Sequence, residues 1–145
     1  MVIFTEALRP PIWVLAFIYF MFLSLVIAIW AAFDTTATMV TFAIATLAIP
    51  FIAQSLTSRI LVNQNELRID KAHIDLQYLG KVTVLDSDAM RLLRTRDADP
   101  AAFLAIKFWA SKGIKIEVTD PRDPTPYWLI TSKRGEKLAA LLTKP

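Results

Sequence analysis

The sequence predicts a membrane α-helical hairpin followed by a small α+β domain, and three observations support this fold class. Residues 12–33 and 35–58 form two adjoining apolar stretches without a charged residue, separated only by Asp34. Each stretch has about the 20 residues that an α-helix needs to cross a bilayer. Nearly all the charged residues lie after Gln54, where the hydrophobic period becomes the period of two that is typical of strands.

The charge pattern predicts how the chain is divided and oriented. We expect a cytoplasmic head at residues 1–11, transmembrane helix 1 at 12–33, an outer turn at 34–36, transmembrane helix 2 at 37–58 and a cytoplasmic domain at 59–145. The turn contains an acid and no base, whereas Arg9 and Arg59 flank the far ends of the two helices. The positive-inside rule therefore predicts a multi-pass protein of the cell (inner) membrane with both termini in the cytoplasm.

Two tryptophans are expected to anchor the first helix. Trp13 and Trp30 lie about 25 Å apart along a helix, the spacing of aromatic residues at the two bilayer interfaces. The alternative is that both simply face lipid or the neighbouring helix. On the second helix, a stripe of small residues (Ala37, Thr41 and Ala45) favours close packing, either on the first helix or on another protein. Neither helix contains the buried charge that a transporter or channel normally needs.

The remaining residues predict seven short strands and two helices. We place strands at 59–62, 66–70, 72–75, 82–85, 102–108, 114–119 and 127–132. Asp86 is expected to cap a helix that runs to about Thr95, and Ser132 to cap a final helix that ends near Leu142. Seven strands with a closing helix favour a pleckstrin-homology-like, partly closed barrel with a C-terminal helix. A generic α+β sheet with two helices is the alternative.

Several short motifs resemble a known family. They are Asp99-Pro100, Trp109, the Glu-Val-Thr-Asp-Pro run at 117–121, the Asp-Pro-Thr-Pro-Tyr-Trp-Leu run at 123–129 and the Leu-rich closing helix. Together with the two apolar helices, they are similar to the actinobacterial family called domain of unknown function 3093. This resemblance implies an actinobacterial integral membrane protein of unknown activity. It supplies no catalytic residues.

The residue inventory gives no catalytic, cofactor-binding or metal-binding site. The chain has no cysteine, three glycines and one histidine, His73, which we expect at a strand surface. A metal site needs several clustered ligands, and a phosphate-binding loop needs glycines. The paired acids Asp86 and Asp88, and Asp120 and Asp123, are interpreted as helix caps and Asp-Pro turns. The net charge of +3 is too low and too dispersed for a nucleic-acid binder.

Two groups of side chains are candidates for binding. Trp109, Tyr127 and Trp128 either pack in the core or form a partner-binding groove. Arg59, Arg91, Arg94 and Arg96 are candidates for contact with lipid headgroups, since each base near an anionic membrane contributes about 1 kcal/mol. The wider set of basic residues forms either solvated surface or cationic faces: Arg91, Arg94, Arg96, Lys107, Lys112, Lys115, Arg122, Lys133, Arg134 and Lys137.

The sequence therefore predicts a non-enzymatic, membrane-anchored module. We expect a scaffold, accessory subunit or assembly factor at the cytoplasmic face, with the lipid bilayer and a membrane protein or a second copy as partners. An anionic-lipid-binding sensor of the membrane surface is the alternative. An enzyme that acts on a lipid or envelope precursor is a third hypothesis, which the motif inventory disfavours.

Overall fold

The chain folds into two compact units. The computed structural model describes residues 2–143, which form eight strands, four α-helices and one 3-10 turn. One unit comprises Arg9–Ser58. The other joins the residues up to Leu8 to those from Arg59 onward. The second unit is therefore built from chain segments on both sides of the first.

The Arg9–Ser58 unit is a hairpin of two long apolar helices. Helix α1 spans Ile12–Ala32 and helix α2 spans Thr35–Leu56. Both are long and apolar enough to cross a membrane. In the most apolar 18-residue segment of each helix, only 11% of α1 and 6% of α2 is buried. A core helix of a soluble protein would be mostly covered, so this exposure gives modest support to a membrane protein. Asp34 caps α2, because its carboxylate accepts a hydrogen bond from the Ala37 amide at 2.8 Å.

The two helices pack through small and polar side chains. Ala45 is buried in the hairpin, and so is Val26 of α1. Tyr19 Oη lies 3.2 Å from Thr46 Oγ1, which links the two helices by a hydrogen bond. The small-residue stripe therefore contributes to packing within the hairpin, as one of the two sequence interpretations expects.

The first sheet begins before the hairpin. Its strand order is β1-β2-β3-β4, with β1 at Val2–Leu8, β2 at Ser58–Asn63, β3 at Glu66–Ile69 and β4 at Ala72–Asp75. The last three strands form an antiparallel meander. The sequence predicts a head at residues 1–11 and no strand there, which is wrong for β1. The inward positions of β1 are Phe4, Glu6 and Leu8, and the inward glutamate interrupts the apolar alternation that marks a strand.

The second sheet contains the other four strands. Strands β5 (Leu79–Leu85), β6 (Phe103–Ala105), β7 (Gly113–Val118) and β8 (Tyr127–Thr131) are ordered β5-β7-β8-β6. Strand β6 runs parallel to β8, and the other pairings are antiparallel. The described residues therefore form an open α+β domain with eight strands, where seven were predicted. The additional strand is β1.

Two short helices complete the domain. Helix α3 spans Ser87–Arg94, and Asp86 caps it by accepting the Ala89 amide at 2.8 Å, as predicted. Helix α4 spans Gly135–Leu142 and follows Arg134, which makes no side-chain cap. The prediction that Ser132 caps this helix was wrong. Its hydroxyl donates to Glu6 of β1 and accepts the Arg134 amide at 3.1 Å, before the helix begins.

The core joins both sheets to α4. Ile60 and Leu67 from the first sheet, Ile116 from the second and Leu138 from α4 are fully buried in one cluster. All five residues of β8 are buried, so this strand is covered on both faces. Burial of this kind stabilises a domain by about 25 cal/mol per Å² of apolar surface.

Candidate functional site

The three aromatic candidates do not form one exposed groove. Tyr127 and Trp128 lie in β8 and are only 7% and 6% exposed. The Trp128 ring packs on Phe103 with a centroid distance of 4.5 Å. The Tyr127 hydroxyl accepts a hydrogen bond from the Asp99 amide at 3.3 Å, and Lys115 Nζ lies 4.4 Å from the ring centroid. The structure thus places both side chains in the core.

Trp109 lies in a loop that does reach the surface. Residues 107–112, which we call the 107–112 loop, connect β6 to β7. Trp109 is half-buried, and its ring makes an edge contact with Phe108 at 4.9 Å. Phe108 itself is 67% exposed. Phe108 is therefore the most exposed aromatic side chain in the described part of the domain, and the sequence analysis did not single it out.

Arg94 holds the 107–112 loop in place. Its Nη2 donates hydrogen bonds to the Lys107 carbonyl at 3.1 Å and to the Ala110 carbonyl at 3.2 Å. Partial burial lowers the pKa of the Arg94 guanidinium below its ordinary value. A side chain that donates to two backbone carbonyls is positioned for structure, so Arg94 is the least suited of the four arginines to contact lipid.

The other three arginine candidates are exposed. Arg91 makes an ion pair with Asp88 at 3.8 Å on α3, and Arg96 follows the end of that helix. Arg59 lies in β2, where its backbone amide donates to the Asp70 carboxylate at 2.8 Å. Asp70 has φ +53°, a left-handed conformation that asparagine and aspartate tolerate better than most residues. Arg91 is thus paired with an acid, whereas Arg59 and Arg96 are exposed and suited to contact with anions.

The proposed membrane anchors lie on the surface of the hairpin. Trp13 and Trp30 are 61% and 66% exposed. They lie in the first and last turns of α1. Their exposure satisfies one requirement for contact with the lipid interface, and the anchoring itself stays a prediction.

The acidic residues serve caps and turns. Asp120 accepts hydrogen bonds from the Arg122 amide at 2.9 Å and from its Nε at 3.2 Å. These bonds hold the pKa of the Asp120 carboxyl below its usual range. Asp123 accepts the Thr125 amide at 2.9 Å. These Asp-Pro segments are turns, as predicted.

His73 lies exposed in β4, opposite Arg68 of β3. Among residues 2–143, no group of three His, Asp or Glu side chains is placed to hold a metal ion. The structure thus gives His73 a surface position in a sheet.

Buried polar contacts join β1 to the segment before α4, and the sequence did not predict them. Glu6 of β1 is only 6% exposed, and its Oε2 accepts a hydrogen bond from Ser132 Oγ at 2.5 Å. Its Oε1 accepts the Lys133 amide at 2.8 Å. Arg134 donates to the Thr5 carbonyl and lies over the Phe4 ring at 4.6 Å. The strand before the hairpin is thereby fixed to the segment before α4.

These features define a class of protein: an α+β domain whose first and second strands are separated by an apolar helical hairpin. The chain belongs to the family described as "Protein of unknown function (DUF3093)", whose model matches residues 3–142. The match begins in β1 and ends with α4, and it confirms the family resemblance. Neither the curated proteins nor the solved structures gave a match.

Proposed function

We propose that this protein is a membrane-anchored, non-enzymatic scaffold, accessory subunit or assembly factor at the cytoplasmic face of the membrane. The bilayer and a membrane protein, or a second copy of this chain, are its partners. The observation that carries the proposal is the position of the hairpin between β1 and β2. These strands are neighbours in one sheet, although two long apolar helices separate them in sequence.

This arrangement favours one compartment for the whole domain. The two helices are joined by a two-residue turn, so the chain enters and leaves the hairpin on the same side. A sheet can form only if β1 and β2 are on that same side. Arg9 and Arg59 flank the hairpin there, and the positive-inside rule assigns that side to the cytoplasm. The turn with Asp34 is then outside.

The proposal extends to fold and source. Strands β2 to β8 followed by a closing helix support a relationship to pleckstrin-homology-like domains, in a variant with an added first strand. The family resemblance implies an actinobacterial source. The non-enzymatic role is supported by the use of Asp86, Asp120 and Asp123 in caps and turns, which commits these acids to structure.

The 107–112 loop is the surface that we propose for partner contact. Phe108 is exposed directly after Lys107, and Arg94 fixes the loop backbone. A rigid exposed aromatic side chain loses little conformational entropy on binding, which is why such residues are frequent binding hot spots.

Purification from native membranes through a C-terminal tag tests the proposed role. We expect a membrane protein to co-elute in fixed stoichiometry in mild detergent. Phe108→Ala should reduce the co-eluting fraction at least tenfold, because hot-spot truncation costs about 2 kcal/mol or more. The matched control is Phe33→Ala on the outer turn, because the Phe33 side chain is 69% exposed and the Phe108 side chain is 67% exposed. A monomeric species, with neither a stoichiometric membrane protein nor a second copy of the chain, would contradict the proposal.

A further inference from the structure

A basic cleft lies between the start of β7, the end of β5 and the start of α4. Its volume is about 330 Å³, close to the lower end of small-molecule sites. Among its described lining residues, Lys112, Lys133, Arg134 and Lys137 are basic and Glu136 is the acid. The lysines come from three separate segments of the chain: the 107–112 loop, the β8–α4 connection and α4 itself.

The charges in the cleft have few partners within the domain. The ion pairs Arg68–Glu66, Arg91–Asp88 and Arg122–Asp120 involve no cleft residue. Arg134 is directed to β1, where it contacts the Phe4 ring and the Thr5 carbonyl. The cleft bases that are left to contact an anion are therefore Lys112, Lys133 and Lys137.

We infer that this cleft binds a phosphate monoester group. Four bases line the cleft, and its acids are Glu136 and the Glu6 carboxylate that is bonded to Ser132 and Lys133. The formal net charge is +2 (four minus two), which matches the charge of about −1.5 to −2 on such a group at pH 7. Lysine ammonium groups bind tetrahedral oxyanions as point charges from several directions. The lining residues Gly135, Glu136 and Lys137 form the first turn of α4, whose amides have no partner within the helix, and these amides add donors of the right sign.

The wall of the cleft is fixed before any ligand arrives. Glu6 accepts hydrogen bonds from Ser132 Oγ and the Lys133 amide, and the Ser132 amide donates to the Lys112 carbonyl at 3.1 Å. Ser132 is 1% exposed. The backbone that carries Lys112 and Lys133 is thus tied together and to β1. A preorganised backbone lowers the ordering cost of binding.

Isothermal titration of the full-length protein in a neutral maltoside detergent at low salt tests this inference. The probes are inorganic phosphate and dihexanoyl phosphatidic acid, a soluble lipid with a phosphate monoester headgroup. Lys112→Ala/Lys137→Ala should weaken binding at least tenfold, since a hydrogen bond to a charged group contributes about 1.5–3 kcal/mol. Lys71→Ala/Lys81→Ala removes the same charge from exposed positions outside the cleft and should bind like the wild type.

The two probes separate the sources of the phosphate. Similar affinity for both supports recognition of the phosphate group alone, and binding of phosphatidic acid only supports a lipid headgroup. Glu136→Gln removes the acid of the cleft and should tighten binding a few-fold in a domain whose core is unchanged. Absence of binding to either probe, or equal weakening by the two double variants, would overturn the inference.

Discussion

Ser132 donates a hydrogen bond to Glu6 at 2.5 Å across 126 residues of sequence, and both side chains are buried. One partner precedes the apolar hairpin and the other follows the last strand. This contact shows that the domain is assembled from both ends of the chain. The hairpin is therefore an insertion in the domain, between its first and second strands.

Removal of the Glu6 carboxylate should destabilise the domain. Glu6→Ala leaves the Ser132 hydroxyl and the Lys133 amide without their acceptor, which should lower the free energy of unfolding by about 2 kcal/mol or more. Glu6→Gln keeps one acceptor and should cost less. Glu136→Ala, an exposed control, should change stability by no more than about 0.5 kcal/mol. Chemical unfolding in detergent measures all three, and equal losses for Glu6→Ala and Glu136→Ala would contradict the account.

Gly113 is required for the close approach of β7 and β8. An added Cβ would lie 2.1 Å from the Ile130 carbonyl oxygen and 2.7 Å from Met90 Cε. Gly113→Ala should therefore cost about 3 kcal/mol or more, because the neighbouring backbone must move. At Gly135 the nearest atom would be 3.3 Å away, so Gly135→Ala should be far milder. Thermal unfolding of the two variants gives the comparison, and similar midpoints would exclude this explanation.

Arg94→Ala should loosen the 107–112 loop. Two carbonyl acceptors lose their donor, so amide hydrogen exchange in this loop should accelerate and stability should fall by about 1–2 kcal/mol. Arg96→Ala, which removes an exposed guanidinium nearby, should leave the exchange of the loop unchanged. If amide hydrogen exchange in the loop is unchanged in Arg94→Ala, the two Arg94 hydrogen bonds do not stabilise the loop.

Asp120 should contribute a stability component that is lost in acid. Hydrogen bonds from the Arg122 amide and side chain lower its pKa, so folding favours the ionised carboxylate. This contribution is complete above the ordinary pKa of about 4 and is lost as pH falls through the lower pKa of the folded state. Asp120→Asn should therefore lose less stability than the wild type as the pH falls from 5 to 2. An unchanged acid response in Asp120→Asn would refute the assignment.

Local patterns in the sequence were enough to predict much of the fold. The two apolar helices, the cap at Asp86 and the strand β8 follow from composition and short-range chemistry. The contacts that the sequence did not predict are long-range. Strand β1 was not predicted because the inward-facing Glu6 interrupts its apolar alternation. Ser132, the partner of Glu6, was predicted to be a helix cap instead.

In the candidate sites, too, the features that the sequence did not predict depend on long-range contacts. Tyr127 and Trp128 were open to two interpretations because aromatic residues suit both a core and a groove, and only their burial decides for the core. Arg94 was grouped with exposed arginines because its bonds to two carbonyls in the 107–112 loop have no sequence signal. The basic cleft combines lysines from three segments, so no single stretch of sequence marks it.

The proposed topology puts β1, β2 and the rest of the domain on one side of the membrane and the hairpin turn on the other. The chain has no cysteine, so single-cysteine variants can be labelled without background. Thr36→Cys reports on the turn and keeps the Asp34 cap, whereas Lys71→Cys reports on the domain. In intact cells, a membrane-impermeant maleimide should label Thr36→Cys, and Lys71→Cys should react only after permeabilisation. Labelling of Lys71→Cys in intact cells, or protection of Thr36→Cys, would contradict the account.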